Sequence, residues 1–278
     1  MIGDLAKASL DPEVVAAFDR LAIRTDELGY DPWGFHRDSA RVLYSLSRQL
    51  ARYFRPVVTG LENLPEGRVL IVPNHSGQLP FDGMVIAVTM LLEAQPPRLV
   101  RAMAERWVPT LPFVGEAFSR SGVVVGDPIN CKNLLEHDNA ILVFPEGARG
   151  SGKPWARRYR LEAFGRGFMR LALQTGTPIV PVSVVGAEES IPSITALPWL
   201  AKRLGVPYIP VPPHLPLLGP LAYLPLPTRF YVDFGAPLTF EGPYDDEDEA
   251  IQEKVDVVQA TVQGMIDARL ALRPGVFT

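Results

Sequence analysis

Residues 68–83 read Arg-Val-Leu-Ile-Val-Pro-Asn-His-Ser-Gly-Gln-Leu-Pro-Phe-Asp-Gly. Residues 69–72 form a short continuous apolar run bounded by turn residues, the pattern of a strand buried on both faces. Asn74, Ser76 and Gly77 are small or polar and suit a tight turn. Residues 83–93 then carry few polar side chains and read as a buried helix. The same alternation continues downstream. Strands are expected over residues 98–103, 122–125, 140–144, 178–184 and 228–234, and helices over 128–137, 163–175 and 248–272. Pro128 suits a first helical turn, Gly176 a helix stop, and the acids of 245–249 a helix N-terminus. The expected fold is α/β, with a central mixed, mostly parallel sheet and helices on both faces.

Upstream, residues 1–60 read as an N-terminal helical segment, with helical periodicity over 11–28 and 36–54. In the second helix Leu43, Leu46, Leu50 and Phe54 make one stripe, while Arg37, Arg41, Arg48, Arg52 and Arg55 face away. Such a basic amphipathic helix suits either a membrane surface or a helix packed on the domain with solvated arginines. Residues 61–278 form the second expected unit. Within it, residues 191–227 are dense in Pro, Leu and aromatic residues, including Pro198, Trp199, Pro207, Tyr208, Pro212 and Pro213. This stretch is expected to be an apolar lip that dips into a bilayer or shapes an acyl tunnel, rather than a plain loop over the core.

Bulk properties narrow the function. The 278 residues can bury a full core, and a net charge of −4 gives no reason to expect nucleic acid. Cys131 is the only cysteine, which excludes an internal disulfide, suggests a reducing compartment and suits a structural role. The first residues lack a basic region followed by an apolar core, so no secretory signal is expected. The longest uncharged run, residues 204–227, has seven prolines and two glycines in its interior and cannot be a spanning helix.

His75 follows a strand end, where ligands and catalytic groups of open α/β sheets collect. A neutral imidazole can take a proton from an alcohol if its other ring nitrogen is held by an acceptor. Asp82 is the nearest acid in sequence. Taken alone, His75 is equally compatible with an ordinary surface loop. The second segment, Phe144-Pro145-Glu146-Gly147-Ala148-Arg149, follows another strand. Its glycines and Arg149 suit an anion-binding corner, and Lys153, Arg157, Arg158 and Arg160 extend the charge. Gly147 to Lys153 also fits Gly-x4-Gly-Lys, but Pro154 replaces the required Ser or Thr, which removes a nucleotide-hydrolase reading.

Four blocks in order, Asn74-His75 with Asp82, Gly122 to Val125, Phe144 to Arg149, and Ile179-Val180-Pro181-Val182, make the chain resemble the glycerolipid acyltransferase family, the lysophosphatidate acyltransferase-like superfamily. The likeness spans roughly residues 60–190. The family pattern has four residues between the histidine and the aspartate where this chain has six, Ala148 stands in place of threonine, and Asp127 lies where many members have arginine. The longer loop resembles the diacylglycerol acyltransferase-like and phytyl ester synthase-like branch. It also makes Glu146 a second candidate for the acid that orients His75.

The resemblance implies an O-acyltransferase of lipid metabolism, including phospholipid biosynthesis. It would move an acyl group from acyl-CoA or an acyl carrier protein to a lysophospholipid, glycerolipid or long-chain alcohol. It implies His75, Asp82 and Glu146 as catalytic residues, and Asn74, Ser76, Gly147, Arg149, Lys153, Arg157 and Arg158 as substrate contacts. No cofactor is implied, and the expected location is peripheral, on the cytoplasmic face of a membrane. The rivals are a hydrolase, for which no Gly-x-Ser-x-Gly elbow exists, a lipid-binding protein without turnover, and a metal site from His75, Asp82, Glu146 and His137, for which no recognised spacing exists.

Overall fold

The computed structural model describes residues 10–278; the reading of a missing leader falls on residues 1–9, outside the described residues. Seven strands form one sheet: β1 (Val57–Thr59), β2 (Val69–Pro73), β3 (Val100–Ala104), β4 (Val124–Val125), β5 (Ala140–Leu142), β6 (Ile179–Val185) and β7 (Tyr231–Phe234). The longer helices are α1 (Pro12–Asp19), α2 (Arg37–Phe54), α3 (Phe81–Leu92), α4 (Val114–Ser121), α5 (Pro128–Glu136), α6 (Gly167–Thr175) and α7 (Asp248–Leu272). Strand order is β1-β7-β6-β2-β5-β3-β4. All neighbours are parallel except β6 and β7. The sheet is therefore mixed and mostly parallel, as its alternating sequence requires.

Strand β2 lies between β6 and β5, with Leu70 opposite Ile179 and Val69 opposite Ala140. Its five residues are all buried, which is why it reads as an unbroken apolar run. Val69 and Ile71 point into a core shared with α1, α2 and α3; Leu70 and Val72 point into one shared with α5, α6 and α7. Helix α3 is apolar nearly all round because it is sandwiched between the sheet and the outer pair α1 and α2.

The N-terminal part departs from its reading in three ways. First, the helix expected over 11–28 ends at Asp19. The far end of the expected span is a turn held by Asp26, whose carboxylate accepts the N–H groups of Leu28 and Tyr30. Second, no boundary falls at residue 60. Strand β1 belongs to the sheet, and Phe18, Tyr44 and Phe54 share one core with Ile71, Val85 and Val232. Phe54 stacks on Phe230 at 4.3 Å, closing that core against the strand-β7 edge. Third, the arginines of α2 are mostly spent inside the molecule. Arg37 donates to the carbonyls of Phe18 and Ile23, Arg41 pairs with Asp19, Arg48 pairs with Asp11 and Glu13, and Arg55 donates to the carbonyls of Pro227 and Phe277. Helix α2 is packed on the domain, with most of its arginines paired to neighbouring carboxylates and carbonyls.

The segment 191–227 is more ordered than expected. It holds a two-stranded ladder (Thr195–Ala196 with Pro210–Val211), the helix Pro198–Leu204 and two shorter turns of helix. Among the described residues no helix is long and apolar enough to cross a membrane.

Asp31 and Arg101 fasten the N-terminal segment to strand β3. Both side chains are almost fully buried and pair directly, while Asp31 also accepts from the N–H groups of Trp33 and Phe35 at 2.9 Å. Arg101→Met would leave a buried carboxylate without its counter-charge, a loss of about 3–5 kcal/mol. Denaturant unfolding should show a destabilisation of that size; a loss below about 1 kcal/mol, the range of a surface pair, would mean that this pair does not anchor the segment.

Candidate active site

The carboxyl ends of four parallel strands meet in one place: β2 delivers His75, β3 Glu105, β5 Glu146 and β6 Glu188. Strand β2 ends in a loop that Asn74 holds. Its side-chain oxygen accepts from Val184 N–H at 2.7 Å and its amide donates to Val184 O at 3.0 Å, so the side chain pairs like one more strand residue. Gly77 follows with φ +82, and an added Cβ would sit 2.8 Å from Ala187 O. That close approach to the loop after β6, with the left-handed backbone, requires glycine.

The loop folds back far enough for Asp82, in the first turn of α3, to meet the histidine. Asp82 Oδ2 lies 2.8 Å from His75 Nδ1 and accepts Ser76 N–H at 2.8 Å; Oδ1 accepts Gly83 N–H at 2.7 Å. The carboxylate is fully buried, and the helix N-terminus favours its negative charge. The imidazole stacks on Phe144, centroids 4.1 Å apart, and its side chain keeps 16 % of its surface exposed. With Nδ1–H donating to the Asp82 carboxylate, Nε2 carries a lone pair, and among the described residues no hydrogen bond engages it. Such an imidazole can accept a proton from a hydroxyl.

Glu146 is equally buried but does not touch the ring. Oε1 accepts the His75 backbone N–H at 2.8 Å, while Oε2 accepts Glu162 N–H at 2.7 Å and lies 3.2 Å from Lys153 Nζ. Of the two acids, Asp82 meets the imidazole, and Glu146 accepts from the backbone that carries it. Gly150 allows this crowding. A Cβ there would lie 2.6 Å from Glu146 Cβ and 3.0 Å from His75 Cβ.

The expected substrate contacts fare unevenly. Lys153 is buried; its ammonium donates to Glu146 Oε2 and Arg160 O, at 3.2 and 3.0 Å, and lies at ion-pair distance, 3.2 Å, from Glu188 Oε1, which accepts no hydrogen bond. Its charge is turned inward, toward two buried carboxylates. Asn74 is fully buried and turns both its amide nitrogen and its oxygen to Val184. The Ser76 hydroxyl is fully buried and makes no hydrogen bond. The anion corner is filled from within: Gly147 N–H donates to Phe144 O, and Ala148 N–H donates to the Glu105 carboxylate at 2.8 Å. Arg149, Arg157 and Arg158 remain exposed at the rim. Arg149 also reaches Ala163 O, Arg157 pairs with Glu162, and Arg158 lies over the Trp155 ring. His137 sits just before β5, at the opposite end of the sheet from His75, which separates the proposed metal set.

The sequence reading missed Glu105, Glu188 and the stacking role of Phe144. Glu105 directly follows a strand and could have been found by position. Glu188 follows β6 after Gly186, but nothing local marks it as buried. Burial pushes its carboxyl up to about 7 despite the opposing pull of Lys153. Tyr208, from the proline-rich segment, donates to Gln78 O at 3.0 Å and so ties that segment to the histidine loop.

The sequence model of the acyltransferase family matches residues 55–185. An uncharacterized protein of Mycobacterium tuberculosis is 39 % identical over 257 residues, covering 91 % of this chain and 71 % of that protein. A chloroplastic 1-acyl-sn-glycerol-3-phosphate acyltransferase of Brassica napus is 27 % identical over 171 residues, covering 57 % of this chain and 45 % of that one. In fold, the chain resembles the crystal structure of PlsC, the 1-acyl-sn-glycerophosphate acyltransferase of Thermotoga maritima, with a TM-score of 0.53 at 16 % identity, covering 94 % of this chain and 88 % of that one. The matched span holds the His75–Asp82 loop, the Glu146 turn and the strand behind them, and on these grounds the chain belongs to the acyltransferase family.

Proposed function

We propose that the protein moves a fatty acyl group from an acyl thioester, either acyl-CoA or acyl carrier protein, to a hydroxyl of a lipid acceptor, with His75 as general base. The observation that carries this reading is the 2.8 Å contact of Asp82 with Nδ1, which leaves Nε2 as the basic atom. In this mechanism Nε2 takes the hydroxyl proton as the acceptor oxygen attacks the thioester carbonyl. The tetrahedral oxyanion collapses, the C–S bond breaks, and the imidazolium returns its proton to the departing thiolate. The Asp82 carboxylate stabilises the imidazolium in between.

No covalent enzyme intermediate is needed, and neither the serine next to the base nor the one cysteine is placed as a nucleophile. The Ser76 hydroxyl is sealed from the surface. Cys131 is buried, and burial pushes its thiol up to about 11. Both facts favour direct transfer over a hydrolase with an acyl-enzyme. The exposed guanidinium groups of Arg149, Arg157 and Arg158 supply charge for the phosphates of a lysophospholipid acceptor or of coenzyme A. A diacylglycerol or long-chain alcohol would use the same base without them.

The reading includes peripheral attachment to the cytoplasmic face of a membrane, through the proline-rich lip and not through α2. Trp199, Leu204, Leu217, Leu221 and Leu224 each keep more than half their surface exposed, beside the exposed cations Lys202 and Arg203. Fully burying one such side chain is worth roughly 1.5–3 kcal/mol. Tyr208 links this lip to the loop of His75, so a lipid acceptor would meet the base without leaving the interface.

Two experiments test these assignments. Purified protein with a labelled acyl thioester and a panel of lysolipid, diacylglycerol and long-chain alcohol acceptors should form ester, and His75→Ala should abolish it. Asp82→Asn should lower kcat by roughly 10²–10⁴-fold, as loss of the orienting acid does in other base dyads, and Glu146→Gln should lower it less. Full activity in His75→Ala, or release of free acid without any ester, would remove the reading. In vesicle sedimentation, a Trp199→Ser, Leu217→Ser double variant should bind at least about tenfold more weakly than the parent; equal partitioning would exclude the lip as the membrane contact.

A further inference from the structure

Lys153 and Glu188 are buried, charged, and outside every block that carries the family resemblance. They come from different parts of the chain, the loop after β5 and the turn after β6. The Lys153 ammonium stands 3.2 Å from Glu146 Oε2 and 3.2 Å from Glu188 Oε1. The other oxygen of Glu188 accepts Tyr159 N–H at 2.7 Å. Next to it, Glu189 forms a two-pronged pair with Arg273, beyond the end of α7, with both contacts at 2.6 Å. Burying two carboxylates and an ammonium costs several kcal/mol per ion unless geometry repays it. An apolar trio would be cheaper, and the strand ends would still pack. What the ions add is direction, because Glu146 is held with one oxygen on the His75 backbone N–H.

We infer that Lys153 and Glu188 are positioning residues of the acyl transfer: the ammonium, clamped between two carboxylates, holds Glu146 against the backbone of His75 and so fixes where the imidazole points. This rests on the proposed role of His75 as base. Neither residue touches a substrate in this account, and Lys153 serves the opposite of its expected role as a phosphate grip. Misplacing a catalytic group by an ångström from a distance costs on the order of 10²-fold in rate.

The clamp has a pH dependence of definite sign. The charged or titratable groups facing Glu188 are Lys153 and Glu146 on the clamp side, Tyr159, Arg158 on the rim of the same small cavity, and the Glu189–Arg273 pair. Burial raises Glu188 to about 7, so it gains a proton below that pH and its attraction for Lys153 weakens. Activity that depends on the clamp therefore rises as pH passes through about 7. Stability moves the other way. The folded protein keeps a proton that the unfolded chain releases, so this carboxyl's contribution falls as pH rises from the ordinary carboxylate range toward 7. A purely structural role would make the two follow each other.

The test compares Glu188→Gln, Lys153→Met and His75→Ala with the parent in kcat and KM between pH 5.5 and 8.5, with thermal unfolding at each pH. The ratio of parent to Glu188→Gln kcat should be large at pH 8, near 10²-fold, and approach one below pH 6, with KM little changed for both substrates. Lys153→Met should lose kcat at every pH. If Lys153→Met does not fold, the Glu188→Gln ratio decides. A pH-independent ratio, or a Lys153→Met variant that keeps kcat and loses only affinity for a phosphorylated acceptor, would overturn the inference while a dead His75→Ala left the base standing. An active His75→Ala would remove both.

Discussion

One buried carboxylate organises the site. Asp82 gathers the His75 ring, Ser76 N–H and Gly83 N–H around two oxygens. A bare carboxylate could not be buried so deeply, since ion desolvation in a protein costs several kcal/mol. It is repaid by charge-assisted hydrogen bonds and by the first turn of α3, whose free N–H groups and dipole favour an anion. The loop geometry, the ring tautomer and the placement of the base all depend on that compensation. The two residues by which this loop exceeds the family spacing do not break the pair; Gly77, with its left-handed backbone, and Pro80 before α3 let the chain return.

Around this centre the other acids act as internal ties. Glu146 fixes the histidine's backbone, Glu105 fills the turn where an external anion was expected, and Glu188 closes on Lys153. The positive charge that looked free in sequence is thereby consumed indoors, and cations remain only at the rim. This division suits acyl transfer to a lipid. In the proposed reading, the His75 ring, held by Asp82, works beside an apolar lip, and the cationic edge serves the phosphates of donor or acceptor.

Much of the fold was legible because burial on both faces leaves a simple signature. Strand β2 and helix α3 read correctly because nearly every residue in them is apolar. Strand β1, three residues long, and helix α4, eight residues with Gly115 inside it, are too short for their patterns to stand out in sequence. Helix α1 was read too long because periodicity does not register the turn that Asp26 holds over residues 26–30. In the site, His75 and its two candidate acids were visible from block order, yet the choice between them needed the path of the loop. Lys153 and Glu188 are far apart in sequence, so Lys153 read as a substrate contact and Glu188 carried no reading at all. Only topology, which brings the ends of β5 and β6 beside that of β2, makes them neighbours.

The account stands on the tautomer of one ring. Heteronuclear NMR of the neutral His75 imidazole, assigned by comparison with His75→Ala, reports which nitrogen carries the proton. The account predicts a protonated Nδ1 and a bare Nε2, with the preference reduced in Asp82→Asn. A proton resident on Nε2 in the parent protein would contradict it.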